Sequence, residues 1–326
     1  MTVRTVTLSP GFDHVVVTDS PEELDTGRVV SWRILAAGKG LNVARFLHYL
    51  ECPAVAYSLV GEDDTGRFRK LAAESGVVTV LESVPGGIRN NLTISTSSQK
   101  PAVHMVGPRL AVGDSRPAER LVEKLLRDVE PGDLVTFNGA VPDGVRSDIW
   151  AQAAAALRDS GAAILADVQG VPLMQLLTMP GLIMVKPNED EVLTLPSVRP
   201  SMTPLERGIA GVLALEDLGV QRPMVTLGGQ GLVALDRGNP VRISCIVERP
   251  RVFVGAGDAL LAGYCLAAVR DGLEECRIDG LRFGVATAAA HVSGAELVNL
   301  ALAARKRLQD VTVEPMTSSP SWSSDF

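Results

Sequence analysis

The apolar positions in the second half of the chain alternate between helical spacing and short strand-like runs. Helical spacing predicts helices over residues 119–129, 146–160, 204–218, 259–269, 277–294 and 296–309. The runs between them predict strands over residues 133–139, 162–168, 182–186 and 223–228. This alternation is typical of an α/β fold with a doubly wound, mostly parallel sheet flanked by helices, in which ligands bind at the carboxyl ends of the strands.

The first third of the chain has a different pattern. Residues from about 13–35 and from about 86–108 are rich in Val, Ile, Thr and Ser and lack helical spacing. We predict that they form strands of a small sheet, inserted into the α/β body as a lid. Residues 312–326 are rich in Ser and Pro, which favours a disordered tail, so the α/β domain is expected to span residues 1–311.

Composition narrows the function classes. The chain has 326 residues, 46% of them hydrophobic, and its net charge of −7 argues against a nucleic-acid partner. The four cysteines show no CxxC pair, as is typical of reduced thiols in the cytosol. The longest uncharged run, residues 168–185, contains two glutamines and two prolines and is a poor membrane span. No apolar signal segment opens the chain, and we expect a cytoplasmic protein without a membrane or nucleic-acid partner.

The sequence Gly255-Ala256-Gly257-Asp258 lies between a valine-rich stretch and an apolar helical run. Two glycines allow the backbone to approach a ligand closely, and the free amides at a helix N-terminus attract an anion such as phosphate. A carboxylate at such a place is explained if it accepts the proton of a hydroxyl that attacks the phosphate. The alternative is an ordinary glycine turn in which Asp258 caps the helix.

A second glycine turn, Gly38-Lys39-Gly40, precedes a helical run at residues 43–50. A lysine at a helix N-terminus suits an anionic ligand, although a helix start with an exposed lysine gives the same pattern. The turn matches neither GxxxxGK[ST] nor GxGxxG, so it supports neither a P-loop nor a dinucleotide site.

Two further segments follow predicted strands. In the segment 186–191, Asn188 and Glu191 are three residues apart, where an amide and a carboxylate can hold the waters of a Mg²⁺ ion. A solvated acidic helix start is the alternative. In the segment 226–231, a glycine turn between two predicted strands would either cradle nucleotide phosphates or form a hairpin.

In this order, the four segments resemble the ribokinase-like carbohydrate kinase superfamily over about residues 3–305. The opening at 7–13, the turn at 36–40 and the segment at 89–93 are similar to its phosphosugar branch, which comprises 1-phosphofructokinase, tagatose-6-phosphate kinase and the minor 6-phosphofructokinase. The resemblance implies ATP-dependent phosphorylation of a ketohexose phosphate, with fructose 1-phosphate as the expected substrate and fructose 1,6-bisphosphate as the product. Tagatose-6-phosphate or fructose-6-phosphate kinase activity and a non-catalytic sugar-phosphate sensor are the alternatives.

The resemblance also implies roles for individual residues. Asp258 would be the general base, and the amides of Gly255, Ala256 and Gly257 would stabilise charge on the transferred phosphoryl group. The substrate-binding residues would be Asp13, Arg28, Gly38, Lys39, Asn42 and Arg89. The residues that bind ATP would be Lys186, Asn188, Thr226, Gly228 and Gly231, and Asn188 and Glu191 would hold hydrated Mg²⁺. A homodimer through the lid is expected.

The sequence departs from the phosphosugar branch at several places. Ser9 replaces the usual asparagine, and residues 99–108 lack the acidic residue that is common in the lid. Residues 290–294 differ from the segment expected at the adenine site. These departures leave the preferred sugar phosphate and the phosphoryl donor open.

Overall fold

The structure is a computed structural model and describes residues 1–19, 28–96, 101–252 and 254–316. Within these residues the strands are, in chain order, β1 Val3–Thr7, β2 Gly11–Thr18, β3 Val29–Ala37, β4 Ala54–Gly61, β5 Val78–Val84, β6 Arg89–Thr96, β7 Pro101–Met105, β8 Leu134–Asn138, β9 Ala163–Asp167, β10 Leu182–Val185, β11 Met224–Thr226, β12 Leu232–Asp236, β13 Asn239–Ser244 and β14 Thr312–Pro315. The helices are α1 Lys39–Tyr49, α2 Thr65–Glu74, α3 Arg116–Asp128, α4 Ile149–Leu157, α5 Val171–Leu176, α6 Pro204–Asp217, α7 Ala256–Asp271, α8 Arg277–Val292 and α9 Leu300–Arg307. In this described part of the chain, none of the helices has the length and hydropathy needed to cross a membrane.

The central sheet has six parallel strands in the order β10-β9-β8-β1-β4-β5. From β1 the chain fills one side of the sheet with β4 and β5, and it later fills the other side with β8, β9 and β10. The direction of filling therefore reverses between β1 and β8, and such a reversal opens a crevice at the carboxyl ends of the two strands. Thr7 and Asn138 end the strands that flank this crevice.

Two hydrophobic clusters cover the two faces of the central sheet. One contains buried side chains of α7, α8 and α9, and the other contains those of α2, α3, α4 and α6. The apolar run that begins at Ala259 is explained by the position of α7, which packs between α1 and α8 and is buried around most of its circumference. The predicted doubly wound α/β fold is confirmed.

The two segments predicted to form a lid supply a separate sheet in the order β3-β2-β6-β7, which we call the lid. Strand β2 pairs antiparallel with β3 and parallel with β6, so Asp13 lies between Leu35 and Asn91. Side chains alternate across a sheet, which places Trp32 on the face opposite Asp13. Trp32 is 61% exposed and the adjacent Val30 is 63% exposed, so this outer face of the lid is apolar and accessible.

A third sheet, in the order β11-β12-β13-β14, is antiparallel and corrects two predictions. The strand predicted at 223–228 does not join the central sheet, because β11 folds back on β12; within the described residues, one parallel bridge, between Asn188 and Thr226, links it to the segment after β10. The disorder predicted from residue 312 is wrong for Thr312–Pro315, because these residues pair with the edge of β13 as β14. The rest of the predicted tail, residues 317–326, lies outside the described residues.

Candidate active site

The Gly255–Asp258 segment forms the start of α7 at the carboxyl edge of the central sheet. Gly255 has a φ of 86°, a left-handed conformation that glycine adopts readily, and α7 begins at the next residue. The first amides of a helix have no intrahelical acceptor, so this turn offers donors to an anion. A Cβ on Gly257 would lie 3.2 Å from Lys186 Nζ, which shows how closely this ammonium approaches the turn.

Asp258 lies in the first turn of α7 and is 6% exposed. Burial raises the pKa of Asp258 and the nearby Asp167 carboxylate raises it further, to about 7. The Asn42 amide, which donates from Nδ2 to Asp258 Oδ2 over 2.9 Å, and the ammonium groups of Lys186 and Lys39 act in the opposite direction. A carboxylate that titrates near neutral pH can accept a proton efficiently, which favours the general-base interpretation over a simple cap.

A buried carboxylate joins the two predicted lysines. Asp167, at the end of β9, is 1% exposed and accepts from Lys39 Nζ over 2.8 Å and from Lys186 Nζ over 3.0 Å. Burial opposes ionisation of Asp167, but the two ammonium groups outweigh it and lower its pKa. Burial likewise lowers the pKa of Lys39, and the Asp167 carboxylate more than compensates and raises it. Asp167 and Lys39 therefore stay charged at neutral pH, next to Asp258.

The glycine turn before α1 brings Lys39 and Asn42 to the same place. Helix α1 begins at Lys39, directly after Gly38. The amide of Gly40 donates to Thr7 Oγ1 over 3.0 Å, and a Cβ on Gly40 would lie 2.4 Å from that oxygen. Only glycine allows the helix start to pack this closely on the end of β1, beside the crevice.

On the lid, Arg89 lies two residues before Asn91, the register partner of Asp13. The Asn91 amide donates to Asp13 Oδ1 over 2.7 Å, and Arg89 Nη2 donates to the Ser9 carbonyl over 3.1 Å. Burial lowers the pKa of Arg89, the Asp13 carboxylate raises it, and the guanidinium of Arg109 lowers it again. Arg109 is therefore close enough to repel Arg89. A second positive charge near Arg89 favours the binding of an anion there.

Arg28 is not brought to this site within the chain. It directly precedes β3, it is exposed, and its amide donates to Asp19 Oδ1 over 3.1 Å. Leu35, the register partner of Asp13, is seven residues further along. Seven extended residues span about 23 Å, so Arg28 does not reach a sugar bound at Asp13 of the same chain.

The predicted Mg²⁺ residues form a turn with each other. Asn188 Oδ1 accepts from the amides of Asp190 and Glu191 over 2.9 and 2.8 Å, and Glu191 Oε2 accepts from the Asn188 amide over 2.9 Å. The Asn188 oxygen is thus already occupied by two backbone donors. The negative charge of Glu191 acts on Lys39. The second carboxylate oxygen of Glu191 could contact, through water, a Mg²⁺ ion bound to the nucleotide phosphates. A Mg²⁺ site at Asn188 and Glu191 stays a prediction, in which Asn188 would orient the Glu191 carboxylate.

The segment 226–231 is a hairpin, the second of its two predicted forms. Thr226 ends β11; its amide donates to the Pro187 carbonyl and its carbonyl accepts from the Glu189 amide, so the hairpin lies beside the segment that follows β10. Gly228 begins the turn. A Cβ on Gly231 would lie 2.2 Å from the Ile243 carbonyl oxygen, so packing explains this glycine. A nucleotide-binding role for this hairpin stays a prediction.

Four residues of the site were not identified from the sequence: Asp167, Arg45, Arg109 and His291. Asp167 could have been predicted from the sequence, because it is an acidic residue near the end of a predicted strand. The carboxyl ends of parallel strands meet at the edge of the sheet where ligands bind. The other three act through distant contacts. Arg45 donates to Asn42, Arg109 lies near Arg89, and His291 Nε2 donates to the Val254 carbonyl over 2.8 Å, immediately before the Gly255 turn.

Comparison with known proteins identifies the family. Residues 10–302 match the family described as pfkB family carbohydrate kinase. The chain belongs to this family. It is 30% identical over 286 residues to a 1-phosphofructokinase of Xanthomonas campestris pv. campestris, covering 83% of this chain and 86% of that protein. It is 25% identical over 289 residues to the ATP-dependent 6-phosphofructokinase isozyme 2 of Escherichia coli, covering 88% and 91%.

A solved structure of a phosphofructokinase-2 mutant from Escherichia coli superposes on 94% of this pfkB family chain with a TM-score of 0.83, and 98% of that structure is covered. At 23% identity this likeness concerns the fold alone. The predicted ribokinase-like fold and the resemblance to the superfamily are therefore confirmed, and the protein is a carbohydrate kinase.

Proposed function

We propose that this pfkB family member is an ATP-dependent ketohexose phosphate kinase that converts fructose 1-phosphate to fructose 1,6-bisphosphate. The observation that carries the proposal is the buried Asp258 at the N-terminus of α7, whose pKa of about 7 suits a base for a sugar hydroxyl. The relative named 1-phosphofructokinase supports this choice of substrate. A non-catalytic sensor would have no use for such a base.

In the proposed reaction, Asp258 accepts the proton of the C6 hydroxyl while that oxygen attacks the γ-phosphorus of ATP in line. The new bond between the C6 oxygen and phosphorus forms as the bond to the bridging oxygen of ADP breaks, and ADP leaves with the electron pair of that bond. The amides of Gly255, Ala256 and Gly257 would donate to the transferred phosphoryl group, whose charge they stabilise. Asp258 then releases its proton to solvent.

The nucleotide phosphates would lie between Lys186 and the hairpin at 226–231, where the crevice opens. Lys186 directly follows β10 and is held by Asp167, so its ammonium is positioned before a ligand arrives. Mg²⁺ would supply neutralisation of the charge on the β- and γ-phosphates, with Glu191 as its protein contact through water. Lys39 would face the same phosphates or the C1 phosphate from the start of α1.

The sugar would bind under the lid, with hydroxyls at Asp13 and Asn42 and the C1 phosphate at Arg89 and Arg109. The charge of Arg109 acts on Arg89, and a dianionic phosphate would attract both guanidinium groups. An unphosphorylated sugar would leave both guanidinium groups without an anion. The charges at the lid therefore support a phosphosugar as the substrate.

The test is release of ADP from Mg-ATP by the purified protein with fructose 1-phosphate, fructose 6-phosphate, tagatose 6-phosphate and unphosphorylated fructose side by side. We expect fructose 1-phosphate to give the highest kcat/KM. A preference for fructose 6-phosphate would move the assignment to the activity named for the 25% identical Escherichia coli relative. ATP–Mg²⁺ binding without turnover of any of these sugars would contradict the proposal and favour a sensor.

Replacing Arg89 or Arg109 with methionine tests the phosphate contact. Loss of a hydrogen bond to a charged group costs about 1.5–3 kcal/mol, so we expect kcat/KM for fructose 1-phosphate to fall roughly 10–150-fold in each variant. Turnover of unphosphorylated fructose, measured at high concentration, should change less than about threefold. Arg158→Met is the matched control, since Arg158 is exposed and follows α4 at the opposite edge of the central sheet. Equal losses with both sugars would argue against a phosphate contact.

The outer face of the lid supports the proposal of a homodimer. A large aromatic residue on an open sheet face is a typical centre of an interface, and Trp32 is 61% exposed there. We expect light scattering at micromolar concentration to give twice the mass of the chain, and Trp32→Glu to weaken association by at least about 30-fold. Val171→Glu, which changes an exposed apolar residue of α5, is the control. A monomeric wild-type protein would contradict the dimer.

A further inference from the structure

The side chain of Asn42 lies between a guanidinium group and the carboxylate of Asp258. Arg45 Nη1 donates to Asn42 Oδ1 over 3.2 Å, and Asn42 Nδ2 donates to Asp258 Oδ2 over 2.9 Å. Arg45 is three residues after Asn42 on α1, the spacing at which helical side chains are neighbours. The three side chains therefore form one continuous chain of hydrogen bonds that ends at the proposed base.

The chemistry of the two outer groups determines the orientation of the amide. A guanidinium group has only donors and an ionised carboxylate has only acceptors. An asparagine between them must turn its oxygen to the arginine and its NH₂ group to the aspartate. Without the guanidinium, the amide is free to rotate by 180° and to present its oxygen to Asp258. That orientation repels an ionised carboxylate and favours a protonated one.

Arg45 is itself held in place by the root of the lid. Its Nη2 donates to the carbonyl of Ala36, the next-to-last residue of β3, and the residue is 9% exposed. Its Nε has no hydrogen-bond partner within the part of the chain that the structure describes. The simultaneous contact of Arg45 with Ala36 and Asn42 depends on the fork shape of the guanidinium, which the single ammonium of lysine does not reproduce.

We propose that Arg45 is a positioning residue for phosphoryl transfer, which fixes the amide of Asn42 so that its NH₂ group holds the Asp258 carboxylate in place. This inference rests on the proposed role of Asp258 as the general base. Arg45 touches neither the sugar nor the nucleotide in this role; it acts through Asn42. Because Arg45 contacts both Ala36 and Asn42, the same side chain links the root of the lid to the hydrogen bond that holds Asp258.

The charged groups around Asp258 decide the direction of the expected effect. Asp167 from β9 raises the pKa of Asp258, and Lys186 after β10, Lys39 and Asn42 from α1 lower it. The Arg45 guanidinium and the Asp258 carboxylate also act on each other. Loss of the Asn42 donor removes one of the contributions that lower the pKa, so Asp258 should titrate at higher pH in its absence. The variant Arg45→Lys keeps a positive charge at position 45. Any shift in the pKa of Asp258 in this variant then reports the orientation of the Asn42 amide and not the loss of a charge.

The experiment measures the titration of Asp258 directly in the free protein, by carbon-13 NMR of aspartate labelled at the carboxyl carbon. Asp258→Asn identifies the resonance. We expect Arg45→Lys to shift the midpoint upward by about one pH unit and Asn42→Ala to give the same shift. In the double variant Arg45→Lys/Asn42→Ala, the shift should equal that of Asn42→Ala alone. The amide through which residue 45 acts on Asp258 is then absent, so Arg45→Lys should have no further effect.

Kinetics provide a second readout. For Arg45→Lys, kcat/KM should fall about fivefold at pH 7 and recover to near the wild-type value at pH 9, where the base is ionised in both proteins. Arg4→Lys is the matched control: Arg4 is also 9% exposed, but it bonds Asp133 at the opposite edge of the sheet. This control should lower the melting temperature without moving the titration of Asp258.

Three results would overturn the inference: an unchanged Asp258 midpoint in Arg45→Lys, an equal further shift in the Asn42→Ala background, or a loss of kcat/KM that is the same at pH 7 and pH 9. The results that would contradict the proposed function are different from these three. Full turnover by Asp258→Asn would remove the base role, whereas the NMR titration needs no substrate and would still report whether Arg45 acts through Asn42.

Discussion

Replacing Asp258 with asparagine should lower turnover by about 10²–10⁴ and at the same time stabilise the folded protein. The first effect follows because asparagine cannot accept the proton of the attacking hydroxyl. The second follows from the environment of the carboxylate, which is buried and lies near Asp167. Asparagine is nearly the same size, carries no charge, and can still accept the hydrogen bond from Asn42.

The direction of the stability effect depends on pH. Asp258 titrates near 3.8 when unfolded and near 7 when folded, so the folded protein binds the proton more tightly. Its contribution to stability is present below about pH 4 and is lost as the pH rises to about 7. Over this window the free energy of unfolding of Asp258→Asn should rise relative to that of the wild-type protein, by up to about 4 kcal/mol.

Two measurements check these effects. ADP release with fructose 1-phosphate gives the loss of turnover, and urea unfolding at pH 5, 6, 7 and 8 gives the free energy of unfolding. The wild-type kcat/KM should fall as the pH drops through about 7, since this profile reports the free enzyme. A variant that is inactive and also less stable at pH 8 would show that the carboxylate contributes to folding, contrary to our expectation.

Asp167→Asn is expected to have the largest effect on stability. The change removes the negative charge between Lys39 and Lys186, whose ammonium groups lie 2.8 and 3.0 Å from it. Removal of one partner from a buried ion pair typically costs about 3–5 kcal/mol. The change should also lower the pKa of Asp258, because the Asp167 carboxylate raises it in the wild-type protein. The variant should therefore be less stable than the wild-type protein. Its kcat/KM should also begin to fall at a lower pH on acidification.

Thermal unfolding and the pH profile test this expectation together. Mg-ATP should raise the melting temperature of Asp167→Asn more than that of the wild-type protein, because the phosphates then supply the missing negative charge. Asp133→Asn is a matched control, since Asp133 is 2% exposed and pairs with Arg4 over 2.7 Å before β8 begins. It should cost similar stability without moving the pH profile. A profile that moves equally in both variants would rule out a specific effect of Asp167.

The sequence was most informative where the site is made of short glycine turns. Gly255 is required by its left-handed backbone and Gly40 by its close approach to Thr7, and each lies within three residues of a charged residue, so a short stretch of sequence is enough to predict the group. Bonds between distant elements leave no such pattern. The contact from Asn42 to Asp258 joins residues 216 positions apart, and the chain that continues to Arg45 follows from the packing of α1 on α7.

Two expectations met a structural context that the sequence does not contain. The resemblance gave Arg28 a substrate-binding role, which stays a prediction; the pairing of β2 with β3 places this residue at the far end of the lid from Asp13 of the same chain. Thr312–Pro315 were assigned to a disordered tail from the serines and prolines around them, but an open edge on β13 was available to pair with them. Both outcomes depend on strand register, which composition does not contain.

The two lysines and two aspartates at the crevice have a further consequence for ligand affinity. When Asp258 is protonated, Lys39, Lys186 and the ionised Asp167 leave an excess of one positive charge; when it is ionised, the four groups are electrically neutral. A triphosphate would therefore be attracted most strongly at the pH values where the base is disabled, and chemistry would be fastest where that attraction is weakest. If Asp258 is the base, retention of the nucleotide and speed of the reaction would be opposed, and near neutral pH a single proton on Asp258 would set the balance between them.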